Sequence, residues 1–196
     1  MGDWLKNVVN KVEPLEDKIY GPRYRCTLTL RDGMVLPCAV VQSKQRLIDL
    51  AKRRIKEEMK GRGMLGGPDP YGQIVSVFIA GGNRIADYEV AEATESKYAT
   101  PHALLSQIHG ETTMGWTGWV FRMKDGRRFS YGSSFSFEFF QLPDGYSFED
   151  VAEVINHSFI DANGKVASLE RGCLLPAGYR SDFRERIFFT CAVDGL

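Results

Sequence analysis

The chain has 196 residues, 43% of them hydrophobic, and its 25 basic and 25 acidic side chains cancel to a formal net charge of zero. A chain of this length buries a core of its own, and a charged fraction of 26% with 12% aromatic residues excludes intrinsic disorder. Neutrality argues against a protein that coats nucleic acid, and no apolar run approaches the ~18 residues of a membrane span.

Trp4, Leu5, Val8 and Val12 recur at helical spacing after Asp3, a candidate N-cap, and Pro14 ends that helix. Charged residues from Asp3 to Lys18 interrupt this stretch, so no signal core is expected, and Lys6 stands where myristoylation needs Ser or Thr. Tyr24, Cys26, Leu28 and Leu30 alternate with Arg25, Thr27 and Thr29 as in a strand. Met34 to Val41 returns after Arg31-Asp32-Gly33. A three-residue turn with Gly33 left-handed would pair Leu30 with Met34, Leu28 with Leu36 and Cys26 with Cys38, keeping one apolar face.

Ser43 is expected to cap a helix reaching about Lys60, with Leu47, Ile48, Ala51, Ile55 and Met59 as its apolar stripe. Residues 61–72 form a Gly/Pro-rich loop. Gln73 to Ala80 reads as a buried strand, turned back at Gly81-Gly82-Asn83 into an alternating run through Ala86, Tyr88 and Val90. Thr100-Pro101 opens a predicted helix that stops at Gly110.

Trp116 to Met123 and Arg127 to Phe139 form a second hairpin around Lys124-Asp125-Gly126, pairing Phe121 with Phe129 and Trp119 with Tyr131. Tyr131, Phe135, Phe137 and Phe139 share one face. Ser147 caps a predicted helix through Phe148, Val151, Val154 and Ile155. Phe159 to Leu169 folds around Asn163-Gly164, and Phe183 to Val193 reads as a last strand.

The expected fold is α+β: mainly antiparallel sheet built from hairpins, with helices packed on one face. It is read as a single domain over 1–196, with structural halves at 20–110 and 111–196. The halves echo one another. Gly33 and Gly126 lie 93 apart, Gly82 and Gly164 lie 82 apart, and the difference, 11, is the length of 61–71. A pseudo-duplicated ββαββ unit with that loop inserted in the first copy would account for the spacing.

Motifs for catalysis and cofactors fail on context. Gly61-Arg62-Gly63-Met64-Leu65-Gly66 spells GxGxxG, but it follows a helix and runs into Pro68 and Pro70, whereas a dinucleotide site needs a strand before it and a helix after. His109-Gly110-Glu111 lacks the Pro-Cys-x-x-Cys partner of a zinc deaminase. Cys26, Cys38, Cys173 and Cys191 show no metal-ligand spacing and are too sparse for a disulfide scaffold, so a reducing cytoplasm is the expected compartment. A Cys/His enzyme would use Cys173 with His157, or Cys38 with His102 or His109, but no spacing brings these pairs together. No catalytic residue, metal ligand or cofactor is therefore assigned.

Charge is segregated instead. From Glu138 to Asp161 six carboxylates stand without a Lys or Arg. From Lys44 to Arg62 eight cations face three carboxylates, with Asp49–Arg53, Arg53–Glu57 and Arg54–Glu58 spaced as helix ion pairs. Arg122, Lys124, Arg127 and Arg128 make a second basic turn. The leading expectation is a non-enzymatic, cytoplasmic protein-binding module that uses Lys52, Arg53, Lys56, Lys60 and Arg62 on a protein partner or for self-association. Nucleic-acid binding through the same residues is the alternative, and a cysteine-dependent enzyme the third reading.

Overall fold

A computed structural model describes residues 2–61, 68–113, 115–133, 138–168 and 181–196. The elements in chain order begin α1 (Asp3–Lys11), β1 (Pro14–Asp17), β2 (Gly21–Leu30), β3 (Val35–Ser43), α2 (Lys44–Met59) and α3 (Pro70–Ile74). A π-helical turn (Val75–Ile79), β4 (Arg84–Ile85), a 3-10 turn (Asp87–Glu89), β5 (Val90–Glu95) and α4 (His102–Leu105) follow. Then come β6 (Thr117–Met123), β7 (Arg128–Ser133), β8 (Phe140–Gln141), a 3-10 turn (Phe148–Asp150) and β9 (Val151–Asn156). The last are β10 (Ser158–Ile160), β11 (Val166–Ser168), β12 (Arg184–Glu185) and β13 (Phe189–Val193). The architecture is mixed α+β, with mostly antiparallel sheet and a few helices.

The chain forms two compact units, 1–96 with 188–196, and 97–187. In the first, the strand order is β1-β2-β3-β13-β4, with β5 also on β2. β13 enters parallel to both β3 and β4. Its core joins Leu5 and Val8 of α1, and Val12 just after it, to Cys26, Leu28, Val41, Val90, Cys191 and Val193. In the second unit, β7-β6-β9 carries an aromatic core of Trp119, Phe121, Phe140 and Phe183. The Phe121 and Phe183 rings stack at 5.3 Å, and the Tyr131 and Phe183 rings at 4.8 Å.

The β5–β2 and β9–β6 pairings repeat one register, and the β2–β3 and β6–β7 hairpins match at their turn ends. Cys26 opposes Glu95 as Trp119 opposes Asn156, and Leu30 opposes Val90 as Met123 opposes Val151. Both ladders shift by one residue at the same place, between Thr29/Leu30 and between Arg122/Met123. Both hairpins close by Gly N–H donating three residues back, Gly33 to Leu30 at 3.0 Å and Gly126 to Met123 at 2.9 Å. Both glycines have φ of +88°, which a side chain resists. Both third strands are entered through a 3-10 turn whose last carbonyl accepts from the hairpin turn, Arg31 to Glu89 and Lys124 to Asp150, each at 2.8 Å.

Several sequence expectations are corrected. Gln73 to Ala80 is helical, not a strand: Asp69 Oδ1 accepts from Gly72 N at 2.9 Å and Pro70 supplies the first turn, so capping outweighs the β-branched composition. The run through Tyr88 is broken, because Asp87–Glu89 winds into a 3-10 turn that leaves Tyr88 74% exposed. Ser147 caps only the 3-10 turn Phe148–Asp150; the β-branched residues after it become β9. The helix after Pro101 ends at Leu105. In the first hairpin a bulge between Cys26 and Leu28 places Ala39, not Cys38, opposite Cys26. Leu28–Leu36, Phe121–Phe129 and Trp119–Tyr131 pair as expected. Phe135 and Phe137 lie outside the described residues, and Phe139 is buried beside Ala99 by an isolated bridge rather than on β7. The last run divides into β12 and β13. Met59, placed on the apolar stripe of α2, is 77% exposed.

Candidate functional site

The basic helix α2 grows directly out of β3. Ser43 ends the strand, and its Oγ accepts from Arg46 N at 3.4 Å, starting the helix. Leu47, Leu50 and Ala51 are buried, so the opposite side is left to water. There Gln45, Asp49, Lys52, Arg53, Lys56 and Lys60 are exposed, recurring at three- and four-residue steps along one stripe. The N-terminal end of α2 is tied: Lys44 Nζ pairs with Asp194 at 3.1 Å, and the Arg46 guanidinium lies over Gly21 so closely that a Cβ there would sit 2.6 Å from Cζ.

The expected i,i+4 ion pairs are not those that form. Asp49 Oδ1 accepts from Gln45 Nε2 at 2.9 Å, and Arg54 Nη1 pairs with Glu57 at 3.3 Å. Among the described residues no carboxylate lies within ion-pair distance of Lys52, Arg53, Lys56 or Lys60. Lys56 and Lys60 stand in the last turn, where positive charge meets the negative end of the helix dipole. The second basic turn differs: Arg122 Nε is held by Glu153 at 2.6 Å, and Arg127 by Asp125 at 3.8 Å. Arg62, the fifth expected contact, lies outside the described residues, as do most of the GxGxxG run and Cys173.

The described cysteines, Cys26, Cys38 and Cys191, are buried thiols, and His157 is held at a turn. Burial pushes the Cys26 thiol up to about 12, with Cys191 nearby adding to it, and burial likewise pushes Cys191 up to about 12. A thiol so held stays protonated and unreactive at neutral pH. The Thr112 hydroxyl and His157 Nδ1 lie 2.8 Å apart, and Thr112 Oγ1 also accepts from Gly118 N at 3.0 Å. Thr112 is 1% exposed and His157 half-buried, and the pair braces a turn. His157 itself has φ of +53°, and Asn156 Nδ2 beside it donates to the His109 carbonyl at 2.7 Å. Among the described residues no group of three or more His, Cys, Asp or Glu is placed to hold a metal ion, and no helix is long and apolar enough to cross a membrane.

One cluster escapes sequence reading altogether. Lys97, Tyr98, Gln141, Arg184 and Arg186 come from three distant stretches joined by the β8–β12 pairing and by the Phe140 N–H donating to the Tyr98 carbonyl at 2.9 Å. No spacing along the chain signals it, because long-range strand pairing alone assembles it. No family model, curated protein or solved structure matches this chain.

Proposed function

We propose that the chain is a non-enzymatic protein-binding module whose α2 face docks an acidic protein partner in the cytoplasm. The carrying observation is that Lys52, Arg53, Lys56 and Lys60 are exposed in one stripe with no described carboxylate within ion-pair distance, while Arg54 and Arg122 are neutralised. Unpaired cations on a rigid helix attract an opposite surface over a Debye length, about 8 Å in physiological salt, and steer its approach. Burial of the three described thiols fits a reducing compartment. The repeated register of β5–β2 and β9–β6, with matching turn ends of the two hairpins, supports the finer reading that two related β units were joined in one chain.

A glutamate-rich peptide and a single-stranded oligonucleotide of equal charge, each fluorescently labelled, test this against the chain with Lys52, Arg53, Lys56 and Lys60 all changed to Glu. The peptide is expected to bind more tightly than the oligonucleotide, and the variant to slow its association by roughly 10- to 100-fold. Replacing the same four with Gln should give an intermediate loss with the helix intact, since Gln keeps the helix propensity of Lys and Arg. Tighter binding of the oligonucleotide, lost in the same variant, would replace the protein partner with nucleic acid. Unchanged binding of both probes would remove α2 from the interface.

A further inference from the structure

Beside β8 and β12 of the second unit lies a pocket of about 240 Å³ whose lining includes Lys97, Tyr98, Gln141, Leu142, Tyr146 and Phe148. That is below the usual range for drug-sized ligands, so the occupant is a small molecule. The walls are about half polar, and the aromatic rings among them suit one flat body. The polar part is set by an unusual sharing. Gln141 Oε1 accepts from Arg184 Nε at 3.2 Å, from Arg184 Nη2 at 2.8 Å and from Arg186 Nη1 at 2.8 Å. Two guanidiniums are thus held side by side on one neutral oxygen.

Three consequences follow from that arrangement. The arginines fix which way the amide faces, because only its oxygen can accept from them, so the Gln141 NH₂ donors are what remain for a ligand. Each guanidinium has five N–H donors, and those not spent on Gln141 have no described partner. The Arg186 guanidinium also lies over the Tyr98 ring at 4.4 Å, with the Lys97 ammonium over the same ring at 5.0 Å. The neighbouring Glu185 carboxylate is turned elsewhere, accepting from Ser133 Oγ at 3.2 Å and Tyr131 OH at 3.5 Å. In the lining Asp144 balances Lys97, so the positive charge nearest the Gln141 amide is that of Arg184 and Arg186.

We propose that this pocket binds a small aromatic carboxylate, its ring against Tyr98, Tyr146 and Phe148 and its carboxylate facing Gln141 Nε2 and Lys97 Nζ. Arg184 and Arg186 act as positioning residues that orient the Gln141 amide and supply the surrounding positive charge. The site lies in a different unit from α2 and does not depend on the protein-docking reading.

Isothermal titration of the full chain with benzoate, phenyl phosphate and benzylamine tests it. Benzoate should bind saturably and more tightly than either of the others. Gln141→Glu places a carboxylate between the two arginines. It should weaken benzoate at least ~10-fold, because charged hydrogen bonds are the strong ones and the NH₂ donors are gone. The same change should leave the thermal midpoint equal or higher, since two ion pairs replace neutral bonds. Lys97→Met, at an exposed position, should weaken benzoate without changing stability. Absence of saturable benzoate binding overturns the proposal, as does undiminished binding by Gln141→Glu. Benzylamine binding as tightly as benzoate overturns the anion preference, and phenyl phosphate binding more tightly overturns the carboxylate.

Discussion

Asp125, in the β6–β7 turn, shows how much a single hydroxyl can do. Its Oδ2 accepts from Tyr146 OH at 2.5 Å, and its Oδ1 from Arg127 N at 2.9 Å. The Tyr146 bond, then the backbone bond from Arg127, hold the carboxyl below its ordinary range, since both favour the charged form. Asp32 makes the same backbone bond to Met34 N at 2.9 Å, so the turn chemistry recurs while the tyrosine is particular to the second hairpin. Tyr146→Phe should therefore move the Asp125 midpoint up toward an ordinary aspartate, read by carboxyl NMR across an acid titration. A depressed carboxyl stabilises the fold above its unfolded midpoint and loses that contribution as pH falls through the folded one. The variant should narrow that acid window, and an unmoved midpoint would deny the tyrosine its role. Gly132 is a second position where one atom decides. A Cβ built there would run into the Trp116 indole, so Gly132→Ala should cost about 1–3 kcal/mol by overpacking. Denaturant unfolding measures it, and pairing the change with Trp116→Leu should recover part of the loss. The aspartates and glycines of both turns are legible from Arg-Asp-Gly and Lys-Asp-Gly. The Tyr146 and Trp116 contacts are not: Tyr146 reaches Asp125 from a loop 21 residues on, and the Trp116 indole reaches Gly132 from just before β6.

At the scale of elements, what the sequence reveals depends on how local the deciding interactions are. The hairpins β2–β3 and β6–β7 are readable because a left-handed glycine fixes the turn and the apolar alternation fixes the face. Helix α2 is readable from Ser43 and its periodic leucines. The segment 73–80 is misread as a strand because Val75, Val77, Phe78 and Ile79 favour strands, whereas Asp69-Pro70 just ahead of it is a helix-start signal that prevails. Asp69→Ala should strip that cap at a cost of ~1 kcal/mol and lower the helical signal in circular dichroism; an unchanged spectrum and midpoint would show the cap to be idle. The segment 151–156 is misread the other way. Ser147 with Glu149 and Asp150 looks like a helix start, yet pairing with β6 takes the backbone after a single 3-10 turn. Propensity yields to tertiary pairing there. The one-residue bulge near Cys26 is equally invisible beforehand, and it is enough to part the two cysteines that simple pairing would join.

For the whole molecule the buried thiols set an alkaline limit. Cys26 and Cys191 sit near 12 when folded, against an ordinary value of 9.0. Between those limits the unfolded chain has shed protons that the native one keeps, so stability falls as pH rises, by about 1.4 kcal/mol per pH unit for each thiol. Replacing both with Ala should flatten the stability profile above pH ~9, whatever its cost at neutrality. A slope unchanged by the replacement would place the alkaline loss in other groups. The sequence suggests halves at 20–110 and 111–196 but not the strand order, since β13 reaches β3 across roughly 150 residues of chain and loop closure over such spans leaves no local trace. Removing residues 188–196 should unfold the first unit, because β13 fills the place between β3 and β4. The aromatic core of 97–187 lies wholly within its own span and should keep its near-ultraviolet dichroism.

The placing of β13 also has a consequence for the order of events during synthesis. When β5 leaves the ribosome, the inner edges of β3 and β4 have no strand to pair with, and the next 91 residues (97 to 187) belong to the other unit. At usual elongation rates that interval lasts about 5 to 20 s. Through it the nascent chain carries two open backbone edges, the state in which strands from neighbouring polypeptides add most readily. The half that begins the chain is thus the one completed last, and crowded polysomes would expose it most.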